Sequence, residues 1–247
     1  MLDIKIKFQE NFMCKRNVIA AIILMLLMIA TTSYAAADQY NWKLVDTIEG
    51  CQIYTSAVSG KDYIASKATC VIPARMEVIN TLLRDIANYP EWMTDCKETK
   101  MLKIVDEQND VFIFWFRQHI ALFPDRDLVI KSKIVIQPEE GKDLIYSDLT
   151  NEIPYDAGKG YVRMSSFSSL FTLQWKDREN TTVTYMIDPN LNKGIPSGAA
   201  NGKIKLTPFK TLQNMKKMVK LSKYVSPAKT NRYHKKVEDG IKNGYLR

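Results

Sequence analysis

The chain has 247 residues and a formal net charge of +8, and 46% of its residues are hydrophobic. Once an N-terminal leader is set aside, about 210 residues remain, enough for one domain with a substantial core. The sequence has neither a Gly/Ser- or Pro-rich linker nor an internal repeat, which argues against a second domain.

The first 36 residues have the layout of a secretory signal peptide. Two basic residues precede an apolar run from Val18 to Ala30, and small residues follow in SYAAAD. This order predicts cleavage near Ala37, and the run is shorter than the ~20 residues of a membrane span. An uncleaved N-terminal anchor is the alternative, and Met13 is a second candidate start. We expect a periplasmic or secreted domain in an oxidising space, which argues against nucleic acid as a partner.

The first strands, over residues 51–56 and 64–72, are predicted to form a β-hairpin that turns at Gly60. A turn centred there places Cys51 opposite Cys70. Directly opposed residues have Cβ atoms ~4.5–5.5 Å apart, so this pairing predicts a disulfide that an oxidising compartment would preserve. Two small core cysteines that stay reduced are the alternative.

A helix is predicted over residues 73–92, because apolar residues recur there at spacings of three and four and Pro90 then breaks the pattern. Almost all of the following chain reads as strands. Turns at 107–110 and 177–180 close two hairpins, and further strands cover 127–137 and 143–150. Alternation puts one set of side chains on a common face, namely Phe112, Phe114 and Phe116, and another set on the opposite face, namely Ile113, Trp115 and Arg117.

The last predicted element is a long amphipathic helix over residues 207–224. Thr207 suits the N-cap and Pro208 the first helical position, while Pro227 is expected to end the helix. Its apolar stripe includes Leu212, Met215 and Val219, and the lysines on its other side include Lys216, Lys217 and Lys220. A helix that follows a run of strands must bury its stripe against the sheet. The pattern predicts an α+β fold in which a curved antiparallel sheet wraps around this helix.

Four motifs in this order resemble the START domain, a lipid-transfer module. They are NWKLVD, LLRDIANYPEWM, PDRDLV and DPNLNKGIPSGAANGKIKLTPFKTLQNMKKM. The wider helix-grip (Bet v 1-like) superfamily, with its aromatic-cyclase and plant-allergen members, shares the architecture. The resemblance covers essentially the whole mature chain, so we assign residues 1–36 to a signal peptide, 37–226 to a START-like domain and 227–247 to a basic C-terminal tail.

The resemblance implies a helix-grip fold around an internal hydrophobic cavity for one lipid. The ligand could be a sterol, a hopanoid-like lipid or a phospholipid. The expected lining residues are Phe112, Phe114, Phe116, Phe171, Trp175, Tyr185, Leu212, Met215 and Val219, and an ordinary solid core is the alternative for the same set. Arg126 is a further candidate because Arg126 and Asp127 occupy the position of the family's Arg-Asp pair, although a structural ion pair would also account for them.

Motifs for catalysis or metal binding are sparse. The chain has two histidines, His119 and His234, and no local spacing around them predicts a metal site. It lacks GxSxG, HExxH and a glycine-rich phosphate loop, and SSFSS at 165–169 reads as a strand. We therefore expect neither a cofactor nor catalysis. A cyclase- or hydrolase-type enzyme that uses the same cavity is the alternative, and a binding module that delivers nothing is a third possibility.

The basic charge of the chain is concentrated in residues 203–247, which hold thirteen Lys or Arg residues and two acidic ones. Such asymmetry is typical of contact with an anionic surface, and a solvated lysine face is the plain alternative. We expect a monomer whose lysines at 216, 217 and 220 contact an anionic membrane transiently. The loop at 190–201, which contains Gly194, Pro196 and Gly198, is the expected hinge that opens the cavity.

Overall fold

The computed structural model describes residues 40–192 and 194–247, so the predicted signal peptide, its cleavage site and the Met13 start lie outside the described residues. Four α-helices are present in this part of the chain: α1 (Met76–Arg84), α2 (Ser197–Met218), α3 (Ser222–Ala228) and α4 (Arg232–Lys242). Short 3-10 helices cover Ile86–Glu91 and Pro138–Glu140. The strands are β1 (Lys43–Ile48), β2 (Cys51–Ser56), β3 (Ala65–Ile72), β4 (Cys96–Asp106), β5 (Val111–Gln118), β6 (Asp125–Gln137), β7 (Lys142–Leu149), β8 (Tyr161–Arg163), β9 (Ser166–Trp175) and β10 (Thr181–Asn190). Among the described helices, none is both long enough and apolar enough to cross a lipid bilayer.

The ten strands form one sheet in the order β1-β2-β3-β10-β9-β7-β6-β5-β4. Neighbours along this path are antiparallel, and the short β8 lies parallel to β6. The β4–β5 pairing shifts register at three places and the β1–β2 pairing at one. Bulges of this kind bend and twist a sheet. The predicted α+β fold, with a curved antiparallel sheet and a long C-terminal helix, is confirmed.

Strand β5 shows how the alternating sequence positions the core. Phe112 and Phe114 are buried in the main core, on the face of the sheet that also carries the helices, and Phe116 packs against its edge. Ile113 and Trp115 point to the other face and form a second, smaller core that the segment around Tyr155 covers. Both faces of this strand are therefore buried, which explains why its sequence is apolar at almost every position.

The helical segments begin and end at different residues from those predicted. The helix expected over 73–92 is divided at Asp85, whose ψ of 65° breaks it into α1 and a 3-10 helix. The long helix starts at Ser197 instead of Thr207 and ends at Met218. Thr207 lies inside α2, where its Oγ1 donates to Lys203 O at 3.0 Å, so it is not the N-cap. The first turns of α2 carry small and polar residues. They have no apolar stripe, so hydrophobic periodicity does not predict that the helix begins at Ser197.

The predicted basic tail, residues 227–247, is folded against the domain. Pro227 lies within α3 and does not end the preceding helix. Helices α3 and α4 pack on α1, and Tyr233, Val237 and Leu246 are buried. The spacing of four residues between Tyr233 and Val237 is the sequence signal that would have predicted α4.

Cys51 and Cys70 form a disulfide with a Cα–Cα distance of 4.5 Å, the pairing that the hairpin register predicts. The bridge lies below α2, since Gln213 Nε2 is 3.5 Å and Lys216 Nζ is 3.7 Å from Cys51 Sγ. It therefore ties together the two strands on which the C-terminal half of α2 packs. Cys96 is free and partly buried.

Replacing both bridge cysteines by alanine is expected to lower the free energy of unfolding by about 3 kcal/mol, because the bridge closes a loop of roughly 20 residues in the unfolded chain. Urea denaturation of the oxidised wild type and of the Cys51→Ala/Cys70→Ala variant measures this difference. Cys96→Ala is the matched control. It keeps the bridge, so a reducing agent should lower its free energy of unfolding as much as that of the wild type. Equal stability of the oxidised wild type and the double variant would contradict the prediction.

Asp143 is a buried carboxylate at the start of β7, beneath the C-terminal helices. It is 2% exposed and accepts a hydrogen bond from Asn80 Nδ2 at 2.6 Å. Burial raises the pKa of Asp143 to about 6, against the opposing effect of the hydrogen bonds from Asn80 and the Gln137 backbone. Asn80 Oδ1 has no hydrogen-bond partner among the described residues. Ionisation of Asp143 is therefore less favourable in the folded protein than in the unfolded chain.

The contribution of Asp143 to the stability of the protein should fall as the pH rises through the range in which this residue ionises. An unfolded aspartate has a pKa of ~3.9, so between about pH 4 and 6 the folded state binds more protons than the unfolded state. We expect Asp143→Asn to raise the free energy of unfolding by about 1–3 kcal/mol at pH 7.5 and to change it little at pH 4. Denaturant titrations at both pH values test this, with the exposed Asp62→Asn as control. A gain of equal size at both pH values would be inconsistent with a raised pKa.

Candidate ligand-binding cavity

A cavity of about 240 Å³ lies between the concave face of the sheet and the N-terminal half of α2. Its wall is predominantly apolar and comes from strands β5, β6, β7, β9 and β10. Two loops border its mouth, residues 119–124 between β5 and β6 and, before α2, the described residues of the segment 191–196, namely 191–192 and 194–196. The main wall residues are Phe114, Phe116, Leu128, Ile130, Ile145, Phe171, Tyr185, Ile187, Leu191, Ile195 and Ile204.

The sequence of α2 explains why the core is hollow at one end. Near the mouth the helix presents Ala199 and Ala200, flanked by Gly198 and Gly202, so little side-chain volume reaches the sheet. Further along, larger side chains such as Leu212 and Met215, each 0% exposed, fill the corresponding space. The same helix thus closes a solid core at one end and roofs a cavity at the other.

Four of the predicted lining residues contribute to the wall: Phe114, Phe116, Phe171 and Tyr185. Phe171 and Tyr185 are cross-strand neighbours whose rings stack with centroids 3.9 Å apart. Rigid aromatic surfaces of this kind offer a large apolar contact area to a ligand.

The other predicted lining residues lie elsewhere. Leu212, Met215 and Val219 are buried in the solid half of the core. For these three residues the alternative of an ordinary packed core applies, and not the predicted cavity lining. Phe112 packs under the guanidinium of Arg84, 5.0 Å from the ring centroid. Trp175 lies at the end of β9, where its Nε1 donates to Arg247 O at 2.8 Å. Trp175 is only partly buried, whereas the other four residues are buried. Hydrophobic periodicity marks interior positions and does not separate packed positions from cavity positions.

Arg126, another predicted ligand-binding residue, is buried, with 1% of its surface exposed, and it does not line the cavity. Its Nε donates to Leu191 O at 2.9 Å and its Nη1 to Pro124 O at 2.6 Å, so it joins the two loops that border the mouth. Burial lowers the pKa of Arg126. Asp127 is turned to the opposite face, where it accepts from Trp115 Nε1 and Arg163. These contacts assign Arg126 to positioning the mouth.

The lysines predicted to face a membrane lie far from the mouth. Lys203 lines the cavity entrance, whereas Lys216 is thirteen residues further along the helix, about 20 Å at 1.5 Å per residue. Lys217 is close to Lys216, and Lys220 follows the end of α2. The loop between β10 and α2 is also shorter than the expected 190–201 hinge, because α2 begins at Ser197.

Residues that sequence analysis missed form the mouth. The loop at 119–124 reads HIALFP, and Leu122 at its tip is 99% exposed with a φ of +71°. Ile120, Leu122 and Phe123 all contribute to the lining of the entrance. An apolar run between two strands at a turn was the available signal, since such turns are usually polar.

The polar atoms of the cavity wall are few, and most bond within the protein. Tyr89 Oη donates to Leu83 O at 2.5 Å, and Ser147 Oγ donates to Ser132 Oγ at 2.9 Å. The buried Thr94 Oγ1 has no partner among the described residues. Because an unsatisfied buried hydroxyl costs about 1–3 kcal/mol, Thr94 would gain a hydrogen bond if the wall moved to expose its Oγ1 to a ligand.

The wall offers little that could carry catalysis. Within the described part of the chain, no Asp, Glu or His lines the cavity, and Lys203 at its mouth is 3.1 Å from Asp95 Oδ1. Burial raises the pKa of Tyr89 and of Tyr185 above the ordinary tyrosine value. Burial also raises the pKa of the nearby Cys96 thiol to about 12, so its nucleophilic thiolate is scarce at neutral pH. The arrangement suits the binding of an apolar molecule.

Comparison with known proteins identifies the family. The sequence model of the START domain matches residues 27–224. The chain belongs to the START domain family. Family membership implies lipid binding or transfer, and START domains are in general lipid binders without enzymatic activity.

Individual relatives show the same relationship. An uncharacterized protein of Pseudomonas aeruginosa is 26% identical over 202 residues, which are 81% of this chain and 96% of that protein. The crystal structure of a fragment of the STAR-related lipid transfer protein from Xanthomonas axonopodis is 23% identical, has a TM-score of 0.65 and covers 73% of this chain and 99% of its own. Human StAR-related lipid transfer protein 5 is 12% identical, has a TM-score of 0.63 and covers 83% of this chain and 96% of its own. These structures share the fold of this START domain.

Filling the cavity from α2 should block ligand binding. Ala200 is buried and lines the cavity, so Ala200→Phe places a ring in the space below the helix. We expect at least a tenfold loss of affinity for fluorescent sterol and phospholipid probes, with destabilisation of no more than about 1–3 kcal/mol. Gly202→Phe is the matched control, since a Cβ there meets no atom within 4 Å. Unchanged binding by the Ala200 variant would place the ligand elsewhere.

Proposed function

We propose that this START domain is a periplasmic or secreted lipid-transfer protein that carries one largely apolar, uncharged ligand. The observation that carries the proposal is an apolar cavity, without an acidic residue or histidine on its described wall, that opens beside the fully exposed Leu122. A carrier needs an apolar compartment and a way to reach the bilayer, and these two features supply both.

The chemistry of the wall supports a neutral ligand. An enclosed ionic head group would lose its hydration without gaining an opposite charge, which is expensive in an apolar site. If the wall moves to expose it, the unpartnered Thr94 hydroxyl can instead pair with one hydroxyl or carbonyl group. Among the expected ligands, a sterol or hopanoid-like lipid fits this description, whereas a phospholipid would have to keep its head group at the mouth near Lys203.

The size of the cavity supports a mouth that opens. A volume of about 240 Å³ lies just below the ~300–1,000 Å³ range of ligand pockets. Entry of a whole lipid therefore requires the loops at 119–124 and 191–196 to move away from the sheet. Such loop motions are common where a protein must admit and then enclose its ligand.

The Cys51–Cys70 disulfide supports export. Disulfides persist in the periplasm and outside cells, and they are rare where thiols are kept reduced. The leader-like sequence that precedes the described residues agrees with this compartment.

The mouth loop is the proposed membrane contact. Leu122 is 99% exposed and sits at the cavity entrance, so insertion of this loop would place the opening directly against lipid. Lys216, Lys217 and Lys220 lie near the other end of α2, and we assign them only to long-range attraction towards an anionic surface. The carrier is proposed to act as a monomer. No observation on the cavity wall favours the cyclase or hydrolase alternative.

Transfer between vesicles tests the proposal. Burying one leucine side chain contributes about 1.5–3 kcal/mol, so Leu122→Asp should slow transfer of a fluorescent sterol about ten- to a hundredfold. It should weaken sterol binding in detergent-free solution much less, because the Leu122 side chain is 99% exposed. Ile104→Asp is the matched control, because Ile104 is 52% exposed and lies near the other end of the β4–β5 hairpin. Equal transfer rates for both variants would refute docking through the mouth, and turnover of an ester probe without binding of any lipid would favour the enzyme.

A further inference from the structure

A cluster of metal-binding side chains lies where the C-terminal helix meets α1, away from the cavity. Glu77 is in the first turn of α1, and His234 and Glu238 lie on α4. One donor atom from each of the three residues lies within 4.8 Å of the others. We propose that these three residues form a binding site for a divalent transition-metal ion of the Zn²⁺ class.

The helix geometry favours chelation. Residues four apart lie on the same face of a helix, so His234 and Glu238 present their side chains side by side. Glu77 approaches the pair from the facing helix, and His234 Nδ1 lies 3.2 Å from its Oε1. The three ligands therefore come from two elements that are separated by more than 150 residues in sequence, which is why spacing alone gave no metal signal.

The state of Glu77 is the second, independent observation. Its side chain is only 1% exposed, and its Oε2 has no hydrogen-bond partner among the described residues. Buried carboxylate oxygens are normally paired, and the contacts that this carboxylate receives from Arg75 and His234 reach only Oε1. A cation that Glu77 bound through both of its oxygens would give Oε2 the partner that it lacks.

Arg75 holds the two carboxylates in position. Its Nε donates to Glu77 Oε1 and its Nη2 to Glu238 Oε1, each at 2.5 Å. One oxygen of each carboxylate is therefore engaged, as is usual for carboxylate ligands whose outer hydrogen bonds orient them towards a metal. The guanidinium also neutralises part of the negative charge, so the expected affinity is lower than for a site made of carboxylates and imidazole alone.

The donor set selects the metal. One imidazole nitrogen and two carboxylates match Zn²⁺, which accepts three protein ligands and leaves a position for water. Mg²⁺ and Ca²⁺ prefer sites made only of oxygen ligands. His234 and Glu238 are 33% and 42% exposed at their side chains, so an ion can reach the site from solvent. Bound zinc would fasten α4 to α1.

The test uses the purified protein, stripped with a chelator, in a Cys96→Ser background that removes the free thiol found in residues 40–192 and 194–247. Zinc is added during thermal unfolding and isothermal titration calorimetry. We expect one ion per chain and a rise in Tm, with no rise on addition of Mg²⁺. His234→Ala should weaken zinc binding at least tenfold and abolish the rise. Glu238→Gln should also weaken zinc binding. This variant keeps the shape of the side chain, so it tests the site even if His234→Ala folds poorly.

His119→Ala is the matched control, since His119 is the other histidine of the chain and lies beside Asp125 on a distant hairpin. It should bind zinc like the parent protein. Absence of a zinc-dependent rise in Tm in the parent would overturn the proposal. An unchanged affinity in both His234→Ala and Glu238→Gln would do so as well, because the ion would then bind elsewhere.

Discussion

The packing of α2 against strands β2, β3 and β10 is the interaction on which the rest of this START domain depends. Its C-terminal half buries Leu212 and Met215 completely above the Cys51–Cys70 bridge, and its N-terminal half covers the cavity of about 240 Å³. Each large apolar side chain that becomes fully buried contributes about 1.5–3 kcal/mol. The C-terminal half therefore supplies most of the energy that holds the helix on the sheet. A ligand in the cavity would add apolar contacts that the small residues of the N-terminal half do not make.

The difference between the two halves of α2 also indicates which part of the domain moves. We expect motion at the mouth of the cavity, beside the N-terminal half. The first turns of α2 carry small side chains and are joined to the chain just before β3 by polar contacts, such as the hydrogen bond from Ile64 N to Asn201 Oδ1. This end of the helix therefore gains less apolar packing than the other end, so it is the end expected to move. Arg126 limits the movement, because it hydrogen-bonds to the backbone of both mouth loops. Leu122 adopts a left-handed backbone conformation that is unusual for a leucine, at the tip of one of these loops. Such strain is common in loops that are shaped for contact with a partner.

Much of this fold was predictable because alternation and hairpin geometry are local signals. The two faces of β5 and the pairing of Cys51 with Cys70 follow directly from residue spacing. The start of α2 was missed because a helix that roofs a cavity has no apolar stripe there. For the same reason Leu212 and Met215 were predicted as lining: periodicity marks burial, and it does not distinguish a filled core from a hollow one. Leu122 and Thr94 lie outside regular elements, where no period applies.

The charged cluster between α1 and α4 positions the helices, whereas the apolar core stabilises them. Arg75, Glu77 and Glu238 make short ionic contacts in a partly buried junction. Removing such groups from water offsets most of their attraction, so an ion network of this kind adds little net stability. It does, however, favour the observed arrangement of the helices, since a shift of α4 would separate Glu238 from Arg75 and His234 from the buried Glu77. The apolar contacts of Tyr233 and Val237 therefore supply the energy that holds α4, and the charges determine where on α1 it rests.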